Sequence, residues 1–306
     1  MSGILENRVA SGAPDVQRRG RTFLPSQVTS YAFVAALLTS LIVFRAPLEH
    51  LLKFSDNSEY SYIPVIPFIS AFLILARRNG IFRYAKPSPW IGGSVAGGGI
   101  LLVLVSNVFG ADSIDRIELF ALGIVSVWWG LFLLCYGAQA ARRAMLPVAL
   151  LLFMIPAPGS VMNAVIGFLR EGSAALSYYL FRAIGVPAVR EGMVISLPRL
   201  TIEVAPECSG IRSSISLLIV VLAGANLYLR SGWNKVLLVL TLVPLVIVKN
   251  AIRIVTLSTL ALYVNPSFLN GRLHHQGGIL FFSIAAVSLI PIVVVMRRNE
   301  RQAVSH

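Results

Sequence analysis

Residues 236–254 read Val-Leu-Leu-Val-Leu-Thr-Leu-Val-Pro-Leu-Val-Ile-Val-Lys-Asn-Ala-Ile-Arg-Ile, and this stretch decides the fold class. From Val236 to Val248 there is no charge, so a helix here presents apolar surface on every side. Such a helix is stable in lipid, where its backbone hydrogen bonds close internally. The polar residues Lys249, Asn250 and Arg253 come only at its far end. Comparable apolar runs recur along the 306 residues, near Ser30–Phe44, Tyr60–Ala76, Trp90–Phe109, Leu119–Tyr136, Met145–Ala157, Ile211–Leu229 and Gly277–Met296. Hydrophobic residues make up 56% of the chain and charged residues 13%, about half the charged fraction of a soluble domain. The expected fold is an all-α integral membrane protein of about eight transmembrane helices.

Arginine and lysine set the expected orientation. Arg18, Arg19 and Arg21 precede the first run, Arg77 and Arg78 follow the second, and Arg142 and Arg143 separate the fourth and fifth. Arg230 and Lys235 separate the sixth and seventh, and Arg297, Arg298 and Arg301 follow the last. With eight spans these groups share one side, so both termini are expected in the cytoplasm of a cell-membrane protein. The net charge of +13 is accounted for by this topology and by anionic membrane lipids, which argues against a nucleic-acid partner. Residues 1–29 are expected to be a basic cytoplasmic tail without a signal-peptide cleavage pattern, 30–298 a single transmembrane unit, and 299–306 a second tail.

The longest interruption, 158–210, is expected outside the cytoplasm. Val161–Ile184 has helical periodicity but carries Arg170, Glu171 and Arg182, which suits an interfacial helix, with a membrane-embedded helix as the other reading. Gly192–Leu197 and Leu200–Val204 flank Pro198-Arg199 and predict a small β-hairpin. The hairpin delivers the chain to Ala205-Pro206-Glu207-Cys208-Ser209-Gly210-Ile211-Arg212. Cys208 sits in a polar, glycine-containing loop before a predicted helix, whose N-terminal dipole favours thiolate, the attacking form of the thiol. Cys135, the other cysteine, lies in an apolar run, and the contrast argues against a structural disulfide.

Two further polar elements belong at the same predicted depth. Arg253 is an ionisable residue inside a span, a functional-site hypothesis by default, against which stands an arginine snorkelling to headgroups. Asn250 shares its helical face. His274 and His275 open the last span. Adjacent histidines on a helix point about 100° apart and no acidic residue stands near in sequence, so no metal or cofactor is expected. A thiol, a guanidinium and an imidazole at one surface are what acyl transfer through a thioester needs. A transporter or channel, for example for polysaccharide precursors, and a non-catalytic scaffold are the competing classes.

Four motifs occur in the order and places of the exosortase/archaeosortase family, and the chain resembles that family from about Ser55 to Phe282. They are Asp56-Asn57-Ser58-Glu59-Tyr60-Ser61-Tyr62, Glu207-Cys208-Ser209-Gly210-Ile211, Asn250-Ala251-Ile252-Arg253-Ile254, and His274 spaced from Gly278, Phe281 and Phe282. The resemblance implies a membrane cysteine transpeptidase or protease. Its partners would be exported proteins ending in a short motif such as Pro-Glu-Pro, a transmembrane helix and a basic cluster. Cys208 would carry the acyl group, Arg253 would donate a proton or hold the oxyanion, and His274 would assist, with His275 the alternative register. The early motif departs from the family's Tyr-Ser-His-Gly at Tyr62 and Ile63, which leaves its role open.

Overall fold

The computed structural model describes residues 27–56, 59–83, 85–110, 113–205, 210–265, 267 and 272–304; for 272–279 and 303–304 it describes the backbone alone. The chain runs through α1 (Gln27–Val43), α2 (Arg45–Asp56), α3 (Ile66–Ala76), α4 (Arg78–Phe82), α5 (Pro89–Ser106) and α6 (Ile114–Arg143). Then follow α7 (Met145–Leu150), α8 (Gly159–Ala183), three strands, α9 (Ile211–Tyr228), α10 (Gly232–Tyr263) and α11 (Arg272–Val304). Each of the eight apolar runs falls on helix. Among the described residues, five helices can by length and composition cross a membrane alone: α5, α6, α9, α10 and Leu280–Gln302 within α11. The number rises to seven if α1 with α2, and α7 with α8, each form one bent span. The multi-pass membrane class holds; among the described residues the candidate spans number five to seven, with Ile63–Ala76 a shorter apolar helix beside them.

The bend before α8 has a sequence cause. Ile155 precedes Pro156 and takes an extended conformation (φ −84°, ψ 119°), as a residue before proline does. Pro158 then caps α8, and the two helices meet at 97°. α8, left between an interfacial and an embedded reading by its periodicity, packs along α10 and buries Ser173, Ala174, Ser177 and Phe181.

α5 and α6 form the tightest helix pair, and only some of α5's glycines serve it. A Cβ at Gly92 would come within 2.5 Å of the Leu134 backbone nitrogen, and one at Gly99 within 2.7 Å of the Gly123 carbonyl. A Cβ at Gly93, Gly97 or Gly98 would meet nothing within 4 Å. Close backbone approach through small residues is how apolar helices associate where no hydrophobic drive exists between them. α6 is broken at Gly137 (φ +79°), where any Cβ would collide with the Lys86 carbonyl.

The predicted hairpin is present and gains a strand. β1 (Val189–Glu191), β2 (Val194–Leu197) and β3 (Leu200–Glu203) form an antiparallel sheet in the order β1-β2-β3. Arg190 lies opposite Ile195, and Ile195 opposite Ile202. Gly192 (φ +61°) turns β1 into β2, and Pro198-Arg199 turns β2 into β3. Ile195 and Leu197 pack with Phe181 of α8 and with Val255 and Leu262 of α10. Burying residues of this size contributes roughly 2 kcal/mol each, enough to seat the sheet on the helices.

Candidate active site

Two elements hold the chain on either side of 206–209, a stretch that contains Cys208 and lies outside the described residues. On the upstream side, Val204 is buried against Ala174 of α8 and Ile254 of α10. Arg170 of α8 donates through Nε to the Val204 carbonyl at 2.6 Å, and its Nη2 lies 3.6 Å from the Glu203 carboxylate. Only the backbone bond is short. It fixes the end of β3 through a charge-assisted donor.

Downstream, Gly210 caps α9 in the left-handed conformation (φ +72°, ψ 16°). Its carbonyl accepts from Ser213 Oγ at 2.9 Å and Ser214 Oγ at 2.7 Å. A Cβ at this position would stand 3.2 Å from Asn250 Oδ1 and 3.5 Å from Lys249 Nζ. The backbone conformation and the close neighbours both call for glycine, so the Gly of the Cys-Ser-Gly motif has a structural reason. Ile211 begins α9 and belongs to the main apolar core, together with Tyr60 and Tyr62 of the early motif.

Asn250 and Lys249 reach this point from α10. Asn250 is 1% exposed and donates through Nδ2 to Ser173 Oγ of α8 at 3.0 Å. Lys249 is 7% exposed, and its ammonium donates to Ser213 Oγ at 2.5 Å. No Asp or Glu among the described residues pairs with it. In the sequence Lys249 stands beside the Asn250–Ile254 motif as one of the polar residues at the end of the apolar run, without a role of its own. The signal was there: a cation four residues before Arg253, on one face of an apolar helix. An unpaired ammonium buried beside the N-terminus of α9 adds positive charge to a positive dipole end. That arrangement favours an anion at the intervening loop.

Arg253 lies one turn beyond Lys249 and is half-buried. α10 continues to Tyr263 and does not stop near Ile254 as expected. Arg253 therefore sits within the helix and not at its end. The snorkelling reading loses its simplest geometry, since the helix end lies roughly 15 Å further along at 1.5 Å per residue. The structure thus gathers Arg253, Asn250 and Lys249 on the helix that touches Gly210. His274 and His275 fall in the first turn of α11, and their side chains lie outside the described residues.

The early motif has a definite place. Tyr60 and Tyr62 are buried, Tyr60 stacks on Phe54, and Tyr60 Oη donates to the Ala157 carbonyl at 3.2 Å. It thereby fastens the proline elbow that launches α8. Asn57 and Ser58 lie outside the described residues. Among the described residues no group of three or more His, Cys, Asp or Glu could hold a metal.

Residues 54–291 match the transmembrane exosortase family. The chain belongs to that family. No curated protein and no solved structure matches it. The matched span begins just before the early motif and extends into α11 beyond His274, so it contains all four exosortase-like motifs. As an exosortase the protein is a multi-pass membrane protein.

Proposed function

We propose that this exosortase is a cysteine transpeptidase or protease that cleaves C-terminal sorting signals of exported proteins at the outer face of the cell membrane. The observation that carries the reading is the convergence of Lys249 and Asn250 on Gly210, two residues after Cys208, with Arg253 one turn along the same helix. In the first step the Cys208 thiolate attacks the scissile carbonyl, and Arg253 stabilises the oxyanion that forms. Collapse breaks the C–N bond and leaves an acyl-thioester, while His274 delivers a proton to the departing amine. An acceptor amine or water then attacks the thioester, giving the new amide or acid and releasing the thiol. Lys249 does not touch substrate in this scheme; it holds the loop's potential positive and so favours thiolate.

The orientation rests on charge. Arg77, Arg230, Arg297 and Arg301 line one pocket at the end of α9 and α10 remote from Gly210. With basic residues inside, both termini are cytoplasmic and the Cys208 loop is outside. A substrate's transmembrane helix would lie beside the spans, with its basic tail in the cytoplasm.

The decisive experiment co-expresses the protein with an exported substrate bearing a Pro-Glu-Pro-type motif, a transmembrane helix and a basic cluster. Wild type should shorten the substrate, and Cys208→Ala should leave it full-length while inserting normally. Equal processing by both removes the nucleophile assignment.

A further inference from the structure

The end of the bundle remote from Gly210 holds a second concave site. A pocket of about 790 Å³ opens between the residue after α3, the α9–α10 turn and the C-terminal part of α11, and Arg77, Arg230, Arg297 and Arg301 all line it. Among the described residues Glu300 is the single acidic one in its wall. The carboxylate is already engaged: Oε2 accepts from the Arg230 backbone N–H at 2.9 Å, and Oε1 from the Ser231 N–H at 2.9 Å and Asn234 Nδ2 at 2.8 Å. Those bonds close the start of α10 and leave the guanidiniums without a carboxylate partner among the described residues.

Two of the four cations are held in place. Arg77 donates to Asn226 through its side-chain oxygen at 3.2 Å and also to its backbone carbonyl. Arg297 lies 5.7 Å above the Tyr228 ring. Arg230 and Arg301 complete the wall. A cavity with fixed cations and adjustable ones is built for an anion with several acceptor oxygens, and guanidiniums match phosphate in fork geometry. The exposed aromatic rings of Tyr228 and Trp233 at the same corner place it at the depth of lipid headgroups.

We propose that this pocket binds the phosphate of an anionic phospholipid in the leaflet it faces, which on the proposed orientation is the cytoplasmic one. The same positive wall would repel the basic tail of a substrate, so the site is separate from substrate recognition. The proposal does not depend on the role of Cys208.

Native mass spectrometry of the full-length protein in detergent tests it. Wild type should retain phosphatidylglycerol and not phosphatidylcholine. Arg230→Gln with Arg301→Gln should lower phosphatidylglycerol retention by an order of magnitude or more, at roughly fivefold for each cation removed. Arg142→Gln with Arg143→Gln, basic residues outside the pocket, should keep it within about twofold. Equal loss in both pairs would mean general surface attraction and would overturn the site. Should the pocket pair fail to fold, Arg230→Lys with Arg301→Lys serves instead, keeping the charge but losing the fork; unchanged retention there overturns the guanidinium site. Inorganic phosphate supplies the last arm: if it raises the melting temperature as much as phosphatidylglycerol does, the ligand is a soluble anion and the lipid assignment falls.

Discussion

The starts of α9 and α10 are two helix N-termini at opposite ends of the bundle, and they are treated in opposite ways. At α10 the positive end of the helix meets the Glu300 carboxylate, which accepts two backbone N–H groups and the Asn234 amide. Charge and dipole cancel, as in an ordinary structural cap. At α9 the positive end meets the buried ammonium of Lys249, held at Ser213, and Asn250 beside Gly210. Charge and dipole add. A buried cation beside the positive end of a helix is the arrangement that the proposed chemistry at Cys208 would use.

Arg253→Lys should do the most damage at that end. Loss of the planar fork should lower turnover of a sorting-signal substrate about a hundredfold with folding intact; near-normal turnover would reduce Arg253 to a snorkelling residue. Gly210→Ala comes next, since its left-handed backbone and the nearby Asn250 oxygen both resist a Cβ. Thermal unfolding in detergent should show a loss of about 1–2 kcal/mol, and an unchanged melting temperature would mean that the α9 start is not held as described. Lys249→Met, in a Cys135→Ser background, should slow alkylation of Cys208 about tenfold while stability holds or rises, the sign expected when an unpaired buried charge is removed. If the alkylation rate does not change, the α9 end resembles the α10 end after all. The smallest effect belongs to Glu300→Gln. It should cost about 0.3–1 kcal/mol of stability and leave substrate processing unaltered; a large loss of processing would break the contrast from the other side.

The contrast between α9 and α10 was only half legible in the amino-acid sequence. Arg253 and Asn250 could be read as a polar face inside an apolar run, and the hairpin before Cys208 followed from two β-prone stretches around Pro198. The third strand, β1, was not legible, because Val189–Glu191 is short and has no alternating pattern of its own; it exists because β2 offers it an edge. Lys249 was visible but had no role until α10 and α9 were packed together. Glu300 was equally silent, since its partners at Arg230, Ser231 and Asn234 are some seventy residues away.

What the sequence determined by itself follows from local physics. Hydrocarbon demands apolar helices with internal hydrogen bonds, so the run from Val236 to Val248 declares a membrane helix whatever surrounds it. Proline before α8 declares its break in the same way. Tertiary structure decided what depends on the distance between elements far apart in sequence. It sorted Gly92 and Gly99 onto the α6 interface and left Gly93, Gly97 and Gly98 facing away. It carried α10 on to Tyr263 and pressed Lys249 and Asn250 against Gly210, two residues after the cysteine. A side chain's chemistry is written in the sequence, but the field it works in is set by its neighbours, and only packing chooses those.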